Sequence, residues 1–208
     1  MPDAAEAHFG LGELLREKGL HDEAIACYRE AIRLEPDRAE TIVRLGLALH
    51  ENGLLDEARQ VLREAAKRLD ANAGELNDLA WILATRPDVQ FLDHDQVVEL
   101  AECAVKLRPT EASIWNTLGV AHYRAGNWHE AARALERSVE LGREGHSFDA
   151  FFLSMANWQL GEQDKARDYY EEAVEWMDKH YPKNDELIRF RAEAAELLGL
   201  VTSHAEAG

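Results

Sequence analysis

Apolar and small residues recur along this chain in a fixed order and at a fixed interval. Leu11-Gly12, Gly19 and Ala24 return as Leu45-Gly46, Gly53 and Ala58, each displaced by 34 residues. The set returns after a further 73 as Leu118-Gly119, Gly126 and Ala131, and in part after 35 more as Leu153, Gly161 and Ala166. An interval of this size marks an array of helical units, each too small to bury its own apolar face without its neighbours. The pattern predicts five helix pairs, at residues 5–18 with 22–34, 39–52 with 55–68, 74–85 with 94–107, 111–125 with 128–141, and 148–160 with 163–180. A further amphipathic helix, about 185–198, follows Pro182 and is expected to cap the open end, as the terminal units of solenoids require.

Local signals agree with the period. Gly12, Gly46, Ala80, Gly119 and Ser154 are small where the two helices of one unit must cross closely, since a larger side chain would drive them apart. Gly19, Gly53, Gly126 and Gly161 each follow a helix of about four turns, where glycine can take the positive φ that ends it. Asp22, Asp56 and Asp164 stand at or next to the start of the following helix, where their charge suits its dipole. The expectation is an all-α chain, read as one array over residues 1–208.

The net charge of −17 over 208 residues argues against a phosphate backbone or an anionic lipid surface as partner, because both are bound through clustered Lys and Arg. One short basic stripe, Arg59, Arg63, Lys67 and Arg68, reads as a solvated outer face balanced by Glu57 and Glu64. Cys27 and Cys103 lie in different units without a near neighbour, which disfavours a disulfide and suits a reducing compartment. The N-terminus shows no leader pattern and no segment approaches bilayer-spanning length, so a cytoplasmic location is expected, as either a whole protein or a fragment of a larger one.

Nine histidines invite a search for catalytic or metal chemistry. His129-Glu130-Ala-Ala-Arg133 fails the zinc-protease motif at its second His. Asp93-His94-Asp95 fits the start of the third unit's second helix, and Gly10-Leu11-Gly12 lacks both the third glycine and the preceding strand of a dinucleotide loop. No enzyme motif remains, and no cofactor or metal is implied. His122 and Asn157 occupy an inward position that holds Leu15, Leu49 and Leu83 in the first three units, where a mutual hydrogen bond would satisfy two buried polar groups.

The residues within each period identify a family. The first unit carries Leu11-Gly12, Gly19, Ala24-x-x-x-Tyr28, Ala31 and Pro36, and the fourth carries Trp115-x-x-Leu118-Gly119 and Ala131-x-x-x-Leu135. This resembles the tetratricopeptide repeat, with repeats at about 5–38, 39–72, 73–111, 112–145 and 147–180. The resemblance implies a right-handed α-solenoid of five helix-turn-helix repeats plus a cap, a non-enzymatic module that scaffolds another protein. It also implies that the first helix of each repeat lines a concave face holding a peptide or helix. On that face the first two repeats offer a mixed, charged set: Glu6, Phe9, Glu13, Glu17, Arg44, Leu47, His50 and Glu51. Later repeats offer Asn77, Trp81, Asn116, Thr117, Tyr123, Arg124, Phe148, Phe151, Phe152, Met155 and Trp158, the aromatic and amide composition of a peptide hot spot. Some of these aromatics pack the core in the competing reading, with the capping helix over part of the rest.

Neither inner register reproduces the cationic clamp by which some relatives hold a chaperone C-terminus: one reads Phe9, Glu13, Arg44, Gly74 and Asp78, the other Asn77, Trp81, Thr117, Phe148 and Phe152. The third repeat is five residues long in excess, over 85–93, where Val89, Phe91 and Leu92 follow Pro87. They either cover a gap between neighbours or form a second contact site. This lengthened unit resembles repeats of bacterial multidomain signalling proteins. The alternative to partner recruitment is homo-oligomerisation through exposed repeat ends or the aromatic helix.

Overall fold

The helices form where the period places them. A computed structural model of the chain describes residues 2–68, 72–85, 94–142 and 147–200. Among these the elements are α1 (Pro2–Glu17), α2 (His21–Leu34), α3 (Ala39–Glu51), α4 (Leu55–Arg68), α5 (Ala73–Thr85), α6 (His94–Leu107), α7 (Ala112–Arg124), α8 (Trp128–Leu141), α9 (Ser147–Gln159), α10 (Gln163–His180) and α11 (Asp185–Leu197). Each boundary falls within one turn of the expected one, and the described residues contain no strand. The apolar insert at Val89, Phe91 and Leu92, and Asp93 at its end, lie outside the described residues, as do the side chains of the basic stripe on α4.

The chain divides into two compact units, Met1–Arg108 and Pro109–Gly208. In the first, α1 pairs with α2, α3 with α4 and α5 with α6, while α2 and α5 both pack on α3. Tyr28, Ala48, Leu49 and Ala58 are fully buried there, with Phe9 and Leu15 packed against them. In the second, α7 pairs with α8 and α9 with α10; α9 also packs on both α7 and α8, and α11 closes over α9 and α10.

The crossing points explain the small residues. A Cβ on Gly119 would stand 2.4 Å from Leu135 Cγ and 3.1 Å from its backbone nitrogen, well inside ordinary carbon contact. Gly12 faces the Tyr28 ring at 2.7 Å and Gly46 faces Leu62 at 3.2 Å in the same sense. At the fifth crossing Ser154 replaces glycine, and its hydroxyl donates to the Ala166 carbonyl of α10 at 2.7 Å.

The joints are equally regular. Gly126 has φ 77°; its N–H donates to the Tyr123 carbonyl at 3.0 Å, and the Asn127 N–H donates to the His122 carbonyl at 2.9 Å. These bonds close a Schellman turn, whose left-handed residue is tolerated best by glycine. Gly19, Gly53 and Gly161 hold the same turn at the matching joints. Asn157 is 2% exposed, and its amide donates to the Leu153 carbonyl at 2.7 Å. No described helix is long and apolar enough to cross a membrane.

Candidate functional site

In the first unit the inner faces of α1 and α3 are bound up in their own ion pairs. Arg38 pairs with Glu6 and lies 4.5 Å from the centroid of the Phe9 ring. Arg44 sits 3.3 Å from Glu13 and 3.5 Å from Glu40, and Arg16 lies 2.8 Å from Glu51, which His21 also approaches at 3.4 Å. Tyr28 donates its hydroxyl to Glu13; burial and that carboxylate hold its pKa well above the usual phenol value. Leu47, expected on the inner face, is 1% exposed and belongs to the core. Arg16, Arg38 and Arg44 therefore each already have a carboxylate partner. On α5 the situation differs: Asn77 and Trp81 are half-buried, and Asn77 Oδ1 is buried without a hydrogen-bond partner among the described residues.

In the second unit the expected residues separate into three groups. Thr117, Phe151, Phe152 and Met155 are buried, at 0–1% exposure, so they offer no surface to a partner. The reason is that α9 is apolar on nearly every side, and α7, α8, α10 and α11 all pack on it. Phe151 meets Tyr170 of α10 with ring centroids 6.0 Å apart, and Thr117 turns its hydroxyl onto the Ser113 carbonyl at 3.1 Å. Asn116 spends its amide on the next repeat, donating to Asp149 at 2.8 Å.

The remaining residues keep some surface. Tyr123, Arg124, Phe148 and Trp158 are half-buried. Trp158 lies against the Arg167 guanidinium, 5.9 Å from its ring centroid. Tyr123 stands edge-on to Phe152, centroids 5.5 Å apart. Burial, reinforced by Glu193 nearby, pushes its phenol up to about 12 and keeps it protonated.

Two residues outside the sequence-derived set complete this arrangement, both on α11. Phe190 enters between Phe148 and Phe152, with centroids 6.2 Å and 4.9 Å away. Glu193 pairs with Arg124 through both oxygens, one of them 2.8 Å from Nη2. The signal for Phe190 was present as the lone aromatic on the apolar stripe of α11, with Leu187 and Ala194; nothing in the sequence pointed Glu193 at Arg124. Chemically the described residues of the unit hold an aromatic cluster beside a forked cation. Burial raises the Cys27 thiol, which disfavours its reactive thiolate. No group of three or more His, Cys, Asp or Glu that could hold a metal ion occurs among the described residues.

Comparisons with known proteins bear on this geometry. Family models described as TPR repeat and as tetratricopeptide repeat match residues 12–53, 39–68 and 110–179. A solved structure of a thermophilic TPR protein of Thermus thermophilus, TTC0263, is similar with a TM-score of 0.58 at 19% identity, over 95% of this chain and 100% of the other. A MamA protein is similar with a TM-score of 0.54 at 21% identity, over 88% of this chain and 97% of the other. MamA of Desulfovibrio magneticus RS-1, residues 41 to the end, gives 0.55 at 18% identity, over 86% and 98%. At such identities the likeness is one of fold. No curated protein matches the sequence.

Proposed function

The chain belongs to the tetratricopeptide repeat family, and on that premise we propose that it is a non-catalytic interaction module that holds a peptide or helix of a partner protein against the inner, first-helix faces of its repeats. The observation that carries this reading is the contrast on those faces. The cations of α1 and α3 are paired internally, whereas α5 presents Trp81 beside Asn77, whose buried Oδ1 has no partner to satisfy it among the described residues. A half-buried aromatic beside a partly exposed amide residue is a fitting anchor for an apolar side chain of a peptide. Two free thiols, Cys27 and Cys103, support a reducing, cytoplasmic setting.

The test begins with a helical-peptide library selected against the full chain. Replacing Trp81 with Ala is then expected to weaken peptides that bind the first unit, and replacing Trp158 those that bind the second, by about 1–2 kcal/mol or more with little change in melting, because half-buried hot-spot aromatics carry much of a binding energy. A purely structural role gives the opposite result: stability falls by about 3–5 kcal/mol and binding fails only as the fold does.

A second reading, self-association, draws on α1. It packs on α2 yet leaves Leu11 48% and Leu14 57% exposed on neighbouring turns, an apolar stripe that another helix could cover.

A further inference from the structure

Helix α11 does more than close the last repeat. Leu187, Phe190 and Ala194 are each fully buried against its neighbours, yet the same helix reaches past α9 to α7, where Glu193 meets Arg124. Its two anchors lie three residues apart and so share one face of the helix. One is an aromatic ring set edge-on between Phe148 and Phe152, and the other a carboxylate received by a guanidinium that itself lies 5.6 Å and 5.3 Å from the rings of Tyr123 and Phe152. Apolar burial and a forked, charge-assisted pair are the two devices by which a groove recognises an amphipathic helix. A single helix, joined to the rest by the short Tyr181–Asn184 connection, supplies both.

We propose that this inner face of the second unit is a helix-binding site occupied in the chain by α11, and that its external ligand is an amphipathic helix with an aromatic residue followed three positions later by an acidic one. The proposal rests on the interaction-module reading above and specifies its ligand. Because α11 is tethered, it competes at an effective concentration on the order of millimolar, and an external helix gains access as α11 is loosened.

The probe is a fluorescent synthetic peptide with the sequence of residues 185–200, titrated against three full-length chains: unaltered, Phe190→Ala, and Glu193→Gln. Expected is weak binding to the unaltered chain, binding tighter by about tenfold or more to Phe190→Ala, and a few-fold tightening for Glu193→Gln. The same peptide with its Phe replaced by Ala should lose that gain. The milder Glu193→Gln chain, checked for unchanged helicity, keeps the test decisive where Phe190→Ala disturbs the fold. Equal affinity of the peptide for all three chains, or equal affinity of the Phe-less peptide, overturns the proposal. Library peptides that bind through Trp81, together with a 185–200 peptide that binds none of the three chains, also overturn it, while leaving the interaction-module reading intact.

Discussion

Gly119 offers the most direct test of how the helix pairs are built. In Gly119→Ala the new methyl would lie 2.4 Å from Leu135 Cγ and 2.8 Å from Cδ2, against an ordinary contact of about 3.5–4.0 Å. Leu135 is fully buried, and its own backbone nitrogen stands 3.1 Å from the same point, so relief requires α8 to recede by about 1 Å from α7. Overpacking of this kind costs about 1–3 kcal/mol, and the close approach puts this site near the upper end. Replacing glycine by alanine within a helix returns about 1 kcal/mol. The expected net loss is about 2 kcal/mol, on the order of 10 °C in melting temperature for a unit of this size. Gly119→Leu should lose more. Gly10→Ala is the control, because it gains the same helical preference and its Cβ meets nothing within 4 Å; it should stabilise by about 0.5–1 kcal/mol. Thermal and urea unfolding followed by circular dichroism read both. A Gly119→Ala protein that melts at or above the unaltered chain refutes the crossing geometry.

Alkaline titration reads the Tyr123 environment. Its phenol is raised to about 12 in the fold against about 10 unfolded, so its stabilising contribution is full below pH 10 and is lost as pH rises from 10 towards 12; the urea midpoint should fall over that window, and less steeply in Tyr123→Phe. A midpoint whose slope is identical in the two proteins refutes it. If the exposed pair on α1 drives self-association, light scattering should show a mass that grows with concentration and returns to the monomer in Leu11→Glu/Leu14→Glu; a concentration-independent monomer refutes that reading.

Helix positions were legible in the sequence because their punctuation is chemical. Glycine at the Gly126 joint and the small residue at the Gly119 crossing each answer a backbone requirement that few other residues meet. The state of the inner-face aromatics was not legible for a different reason. A helix reading Phe148, Phe151, Phe152, Leu153, Met155 and Ala156 is apolar on nearly every side, so its periodicity does not say which side is covered. Part of the coverage comes from α11, whose docking depends on a long-range match between Phe190 and two phenylalanines more than a repeat away. Likewise the internal pairing of Arg44 with Glu13 joins residues nearly a full period apart, and sequence spacing alone registers both as exposed charge.

The serine at the fifth crossing has a mechanical consequence. Glycine against leucine is a close contact without direction, so it sets how near the two helices stand and not their rotation. Ser154 adds a directional bond to the Ala166 carbonyl at the crossing itself. The bond gives the α9–α10 crossing a direction, and α9 is the helix that carries Phe148 and Phe152. Phe148 and Phe152 stand one turn apart on α9, so the bond at the crossing also sets the direction from which both rings meet Phe190.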